Sequence, residues 1–343
     1  MVTNNHSRST TFVLLFLLIG VAFISMRYGA VNISLDEIFS SFRKYFTNSD
    51  SMSLNERIFM EIRFPRALLC IIVGACLAVG GTLMQALFRN PIVEPGLVGT
   101  SSGAAFGAAL YFVLGASFKF NAGVWTLPLA ACFGAILSTS LVFVLAVSKE
   151  SGRSSIVKLL LTGIAINAFF MSGVGFLSYI ARDPQARSIT FWGMGTLSGA
   201  NWHAVIIVGL INIVCILLAL VYSKQLNTLL LGEEEASYIG IDVKQLKLII
   251  LSINVVMISS ATAFVGIISF VGLIVPHLLR MLHGSDNRIL IKHSVLLGAI
   301  ILSLADTTAR LLLSPAELPI GIVTSLIGVP VFISLLRSKN YYF

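Results

Sequence analysis

Charge-free apolar runs recur along the chain: Thr10–Met26, Ala67–Phe88, Pro95–Phe118, Phe120–Ser148, Leu159–Ala181, Ser188–Ser223 and Leu248–Leu279. A helix that crosses a bilayer needs about 20 mainly apolar residues, and these runs meet or approach that length. The runs Ser188–Ser223 and Leu248–Leu279 exceed one crossing. The latter has room for a full span near Leu248–Gly266 and a shorter helix bent at Pro276. Two more spans are expected near His293–Leu313 and Leu318–Leu336. The pattern predicts an all-α polytopic membrane protein with about ten transmembrane helices. The first run follows a short polar stretch containing Arg8 and lacks a small-residue cleavage site, so it reads as a retained helix.

Polar segments punctuate these runs. Ser34-Leu35-Asp36-Glu37 has the spacing of a capping box, and Ile38, Phe39, Phe42 and Phe46 follow at helical intervals. Residues 33–46 are therefore expected to form an amphipathic helix on the outer, periplasmic membrane face. Lys and Arg favour the cytoplasmic side of short loops. With an internal N-terminus, one set of loops holds Arg89; Lys149, Arg153 and Lys158; Lys224, Lys244 and Lys247; Arg280, Arg288 and Lys292; and Arg337 and Lys339. The other short loops hold only Lys119, Arg182 and Arg187. Both termini are then expected in the cytoplasm. The Arg27–Arg66 segment runs against this bias, although Asp36, Glu37, Asp50, Glu56 and Glu61 dilute its basic residues.

Composition supports lipid as the main solvent. Of 343 residues, 57% are hydrophobic and 11% charged, with mean hydropathy +0.93. A soluble domain carries about 25% charged residues, and this chain has too few to cover a water-facing surface. The net charge of +8 lies between apolar runs without a basic–aromatic stripe, which fits membrane topology and not nucleic acid. Cys70, Cys76, Cys132 and Cys215 lie in apolar stretches without a Cys-x-x-Cys spacing, and read as buried small side chains.

Nothing in the chain points to catalysis. There is no Gly-Lys dipeptide and hence no Walker A loop, no His-Glu-x-x-His and no Gly-x-Ser-x-Gly. His6, His203, His277, His283 and His293 are scattered and predict no metal site. Gly99, Gly103 and Gly107 form a small-residue stripe, as do Gly74, Ala78 and Thr82. Such stripes allow close helix packing, or a smooth wall along a path. Asp306 and Arg310 sit at i, i+4 in an apolar span, as a structural pair or as an arginine offered to a partner outside. Arg63-Phe64-Pro65-Arg66 precedes the second span, where Pro65 suits a first helical turn. Gly232 and Gly240 bracket Glu233, Glu234 and Glu235 in a short helical piece between spans.

Together these segments resemble the permeases of binding-protein-dependent ABC importers for iron–siderophores, haem and vitamin B12 (FecCD-like, BtuC-like). The resemblance covers nearly the whole chain. It rests on Arg63–Arg66, on Met84–Gly99 with its Asn90-Pro91-Ile92-Val93-Glu94-Pro95-Gly96 core, and on Ser101-Ser102-Gly103-Ala104. It continues through Leu231-Gly232-Glu233 with Ala236 and Gly240, Phe270–Arg280, Leu304-Ala305-Asp306 with Arg310, and Glu317–Thr324. It implies one transmembrane permease domain over 1–343 and a homodimer around a pore. The implied partners are two cytoplasmic ABC ATPase subunits, a periplasmic substrate-binding protein and membrane lipid. ATP and Mg belong to the ATPases, and no cofactor is expected on this chain.

The resemblance gives Leu231, Gly232, Glu233, Ala236 and Gly240, in a loop at about 226–245, the role of coupling to the ATPase. It assigns Arg63, Arg66 and Arg310 to docking of the binding protein. Gly99, Ser101, Ser102 and Gly103 are expected beside the translocation path. The segment Arg187–Gly199 with Trp202 looks most like haem permeases, with ferric siderophore and cobalamin as alternatives. An ion-coupled secondary transporter is the rival class. It would carry buried carboxylates at mid-membrane, for which Asp306 alone is thin support.

Overall fold

The computed structural model describes residues 3–29, 31–47, 52–118, 123–146 and 156–337. The charged loop positions Asp50, Lys119, Lys149, Arg153 and Lys339 lie outside the described residues. Among those described, the regular elements are all helical. Seven helices are long and apolar enough to cross a membrane, and the shorter apolar stretches Thr100–Gly115, Val271–His283 and Ile320–Leu335 account for the remaining expected spans.

In chain order the helices are α1 (Thr3–Arg27), α2 (Leu35–Phe46), α3 (Leu54–Ile58), α4 (Phe64–Phe88), α5 (Thr100–Phe118), α6 (Thr126–Ala146) and α7 (Ile156–Ile180). They continue with α8 (Asp183–Gly193), α9 (Trp202–Leu229), α10 (Glu233–Tyr238), α11 (Val243–Val265), α12 (Val271–His283), α13 (Asn287–Leu312) and α14 (Ile320–Arg337). The capping box at α2 is formed: Ser34 Oγ accepts from the Glu37 amide, and the Glu37 carboxylate accepts from the Ser34 amide at 2.7 Å. Ile38 and Phe42 turn inward onto Phe59 and Phe64, while Phe39 and Phe46 stay exposed. Between α3 and α4 the backbone widens into a π turn, Phe59–Arg63. Pro65 has no N–H for the Glu61 carbonyl, which favours the wider turn.

The centre of the fold is α4, almost wholly buried. It touches α13 backbone to backbone. A Cβ at Gly74 would collide with the Gly298 carbonyl, and one at Gly298 with that of Gly74. Lipid supplies no hydrophobic reason for helices to associate, so close backbone approach and buried hydrogen bonds hold them. Thr82 and Ser294 share such a bond across this pair at 2.8 Å. A second approach joins α4 to α12. Pro276 leaves the Gly272 carbonyl without its helical donor, and that carbonyl lies against Gly81.

The other Leu248–Leu279 element, α11, ends at Val265, and a non-helical return leads to α12. Gly195 stitches this region to α14, because its carbonyl accepts from Ile320 at 3.1 Å and the Met194 carbonyl accepts from Gly321 at 3.0 Å.

Gly81→Ala should lower stability by about 1–3 kcal/mol, because the methyl meets a backbone oxygen that cannot rotate away. Gly20→Ala in α1, with open space around it, should leave stability unchanged or raise it. Thermal unfolding midpoints of the purified variants in detergent check both; equal midpoints would contradict the close packing of α4 on α12.

Candidate functional site

At one end of the bundle the short helix α10 hangs between α9 and α11. Gly232 has φ +143°, and a Cβ there would strike the Glu235 carboxylate, so glycine is required to start the turn. Glu233, Glu234 and Glu235 fill the first turn. Glu233 pairs with Lys247 of α11 at 2.6 Å. Ala236 is fully buried, and its carbonyl accepts from the Ile241 amide at 3.0 Å. Asp242 then caps α11 by accepting from the Gln245 amide at 3.0 Å. Gly240, at φ +92°, turns the chain between them. Leu231 and Tyr238 project outward, 68% and 89% exposed. They flank an open recess of about 1050 Å³ lined also by Arg89, Glu234, Lys244 and Lys247. Large exposed apolar side chains on a rigidly footed six-residue helix make a surface suited to a protein partner.

The opposite end carries a buried ion network. Asp306 accepts from Arg66 Nη2 at 2.9 Å and from Arg310 Nε at 2.9 Å. Arg66 also reaches Glu317 at 2.8 Å. Arg310 donates to the Ser25 and Tyr28 carbonyls, and Arg63 donates to the Tyr28 and Val31 carbonyls. The structure therefore departs from the expectation that these arginines are offered outward. Arg63, Arg66 and Arg310 are 8%, 7% and 3% exposed, and their donors serve this chain. The reason is energetic: a buried guanidinium must be paired, and Asp306 and the α1–α2 turn supply the partners. Asp306 is thus the joint between α4, α13 and, through Arg310, the end of α1.

A third region is the irregular stretch between α4 and α5. Arg89, in the left-handed region at φ +47°, ends α4, and Asn90 N–H bonds back to the Gln85 carbonyl at 3.1 Å. The following backbone is held by side chains from separate helices. Asn254 of α11 donates to the Pro95 carbonyl at 3.1 Å, and Asn167 of α7 donates to the Leu97 carbonyl at 3.0 Å. Glu94 accepts from the Phe270 amide at 3.2 Å, where Phe270 itself is left-handed at φ +70°. Asn254 lies roughly 16 Å along α11 from its start, so this backbone re-enters the bundle.

Within that region Gly99 and Gly103 pack against α6. Their free faces abut Ser138 and Gly134 of α6, and Gly107 abuts Ala130. The stripe is a helix contact. Ser102 is buried and bonded to Asn167, whereas Ser101 is half-buried beside Gly96. The amides Asn167 and Asn254 were missed by motif reading. Their signal was present all the same: each is an isolated amide in a charge-free apolar run, where an unsatisfied amide would be costly.

A FecCD transport family model matches residues 16–338. The chain belongs to the FecCD transport family. The hemin transport system permease protein HmuU of Yersinia pestis is 40% identical over 327 residues, 95% of each chain. The cobalamin import system permease protein BtuC of Halobacterium salinarum is 38% identical over 279 residues, 81% of this chain and 73% of that one. The molybdate import system permease protein MolB of Haemophilus influenzae is 34% identical over 322 residues, 94% of this chain and 93% of that one. An inward-facing metal-chelate type ABC transporter structure superposes with TM-score 0.83 at 31% identity, covering 96% of this chain and 99% of that one. This FecCD chain is accordingly a multi-pass ABC importer permease, with ATP hydrolysis belonging to a separate subunit.

For this FecCD permease the Asp306 joint has a measurable cost. Asp306→Asn should destabilise by about 3–5 kcal/mol, since it leaves buried Arg310 without a counter-charge and Arg66 with only the part-exposed Glu317. Glu317→Gln should cost under about 1 kcal/mol, because the Glu317 side chain is 40% exposed and its pairing is screened. Unfolding midpoints in detergent check the ranking, and a larger loss at Glu317 would refute it.

Proposed function

We propose that the chain works as the permease of a binding-protein-dependent importer in the bacterial inner membrane. A homodimer encloses the path, two ATPases grip the α10 ends, and a binding protein delivers the ligand to the Asp306 ends. The observation that carries this reading is the footed α10 helix with its exposed Leu231 and Tyr238. It lies at the far end of the bundle from the Asp306 network, as the two ends of α13 require. Closure of the ATPases on ATP would move α10, and the bundle would alternate between outward-open and inward-open states. In this reading α10 and both termini are cytoplasmic, which accords with Arg89, Lys224, Lys244 and Lys247 on that side.

At the outer end, Arg63, Arg66 and Arg310 serve docking by fixing the α1–α2 and α13–α14 turns that meet the binding protein. Ser101, the least enclosed of the residues after the re-entrant turn, remains the candidate for contact with the path. Haem is the ligand best supported, by the 40% identity to a hemin permease over 95% of both chains and by the Arg187–Gly199 segment. Ferric siderophore and cobalamin are the alternatives.

The test is reconstitution of the permease with its ATPase and binding protein in proteoliposomes, offered haemin, a ferric hydroxamate or cobalamin in turn. Uptake of one ligand that needs ATP and survives a proton ionophore supports the reading. ATP-independent uptake abolished by the ionophore would overturn it in favour of a secondary transporter. Tyr238→Ala or Leu231→Asp should reduce ATPase retention on copurification by roughly tenfold, while unfolding midpoints stay near wild type, since interface anchors of this kind carry about 1.4 kcal/mol or more.

A further inference from the structure

Two residues before α9 ends, Asn227 reaches across to the turn between α12 and α13. Its Nδ2 donates to Asp286 Oδ1 at 2.7 Å. Its Oδ1 accepts from the Asn287 amide at 2.8 Å and from Asn287 Nδ2 at 2.9 Å. Asp286 is the N-cap of α13, held also by Arg288 at 2.7 Å, and Asn287 is fully buried. One amide thus uses both its donor and its acceptor to bind the first turn of α13 to the last turn of α9.

The position of this clasp matters. Leu230 and Leu231 follow α9 directly and lead into α10, so the clasp lies at the root of the segment a partner would pull. From Asp286 a single helix of 26 residues runs to the far end of the bundle. Along the way α13 touches α4 at Gly298 and Ser294, and it finishes in the Asp306 network with Arg66. The other foot of α10, the Glu233–Lys247 pair, leads into α11 instead. Movement of α10 therefore has two exits: α11 passes it to α4, where Cys76 donates to the Met257 carbonyl, and the Asn227 clasp passes it directly to α13, the rod that carries Asp306.

We propose that Asn227 is a positioning residue for transport: it makes α13, with α4, follow the displacement of α10. This rests on the ABC importer reading above. Arg288 hydrogen bonding, with Asn227 adding to it, holds the Asp286 carboxyl down to about 2. The clasp is therefore ionised and intact at working pH.

The experiment uses the permease with its ATPase and binding protein in proteoliposomes, in a background where the native cysteines are replaced. Thr308→Cys, exposed on α13 near the Asp306 end, reports α13 by its labelling rate with a water-soluble maleimide, with and without ATP. Asn227→Leu should leave ATP hydrolysis close to wild type and shrink the ATP-dependent change in labelling roughly tenfold, in line with loss of hydrogen bonds to a charged group. A purely structural role would lower hydrolysis and complex yield together. An unchanged ATP response in Asn227→Leu would overturn the proposal.

If that variant does not assemble, a paired exchange decides. Asn227→Asp alone places two carboxylates in contact and should abolish the response, and Asn227→Asp with Asp286→Asn restores the donor–acceptor pattern and should recover it. Failure of the double variant to recover the response would also overturn the proposal. Wild-type permease that does not retain an ATPase, or that shows no ATP response, would instead defeat the importer reading itself.

Discussion

The backbone contact between Gly74 of α4 and Gly298 of α13 is the constraint on which the other features depend. In lipid, two helices gain little from burying apolar side chains against each other, because the tails are as apolar as leucine. Their association needs surfaces that approach within van der Waals range, and two facing glycines provide one. Once α4 and α13 are locked, polar residues at the ends of α13 acquire fixed partners. Asp306 meets Arg66 at one end, and Asp286 meets Asn227 at the other. The buried carboxylate at Asp306 is paired by Arg310 of its own helix and by Arg66, which the contact holds in place, and an ion pair of loose geometry would not offset its desolvation.

The same economy explains the broken backbone around Pro91 and Pro95. Prolines remove donors, and lipid offers none to the carbonyls they leave. Asn254 of α11 and Asn167 of α7 donate to the Pro95 and Leu97 carbonyls, while Glu94 of the stretch accepts from the Phe270 amide ahead of α12. A segment satisfied by neighbouring helices rather than by its own ladder is bound to their relative positions. Any rearrangement of α7, α11 or α12 must break or carry those bonds, so the stretch moves with the helices and not independently of them.

How much of this was legible in the sequence depended on range. The apolar runs marked the helices because crossing length is a local requirement, whereas the break within Leu248–Leu279 falls at Gly266–Phe270, ahead of Pro276, which lies inside α12. Ser34 and Glu37 announced their capping box because its partners lie three residues apart. The Gly99–Gly103–Gly107 stripe announced close packing or a path, and its packing on α6 through Gly134 is a long-range contact that no local pattern carries. Likewise Arg66 and Asp306 are separated by 240 residues, and nothing local told whether the arginine faced a partner protein or its own chain. Asn227 was invisible for the same reason: its signal is a contact with Asp286, not a motif.

The relatives sharpen what such a scaffold determines. Permeases named for hemin and for molybdate align with 95% and 94% of this chain, although one ligand is a flat macrocycle and the other a small oxyanion. The elements described above, glycine contacts, a buried ion joint and a footed terminal helix, impose no ligand chemistry. They set where helices touch and how the ends are tied. Discrimination between ligands must then lie in side chains that face the path and in the protein that presents the ligand, where a few substitutions alter contacts without disturbing the α4–α13 pair. Overall identity to a hemin permease therefore weighs more for mechanism than for cargo.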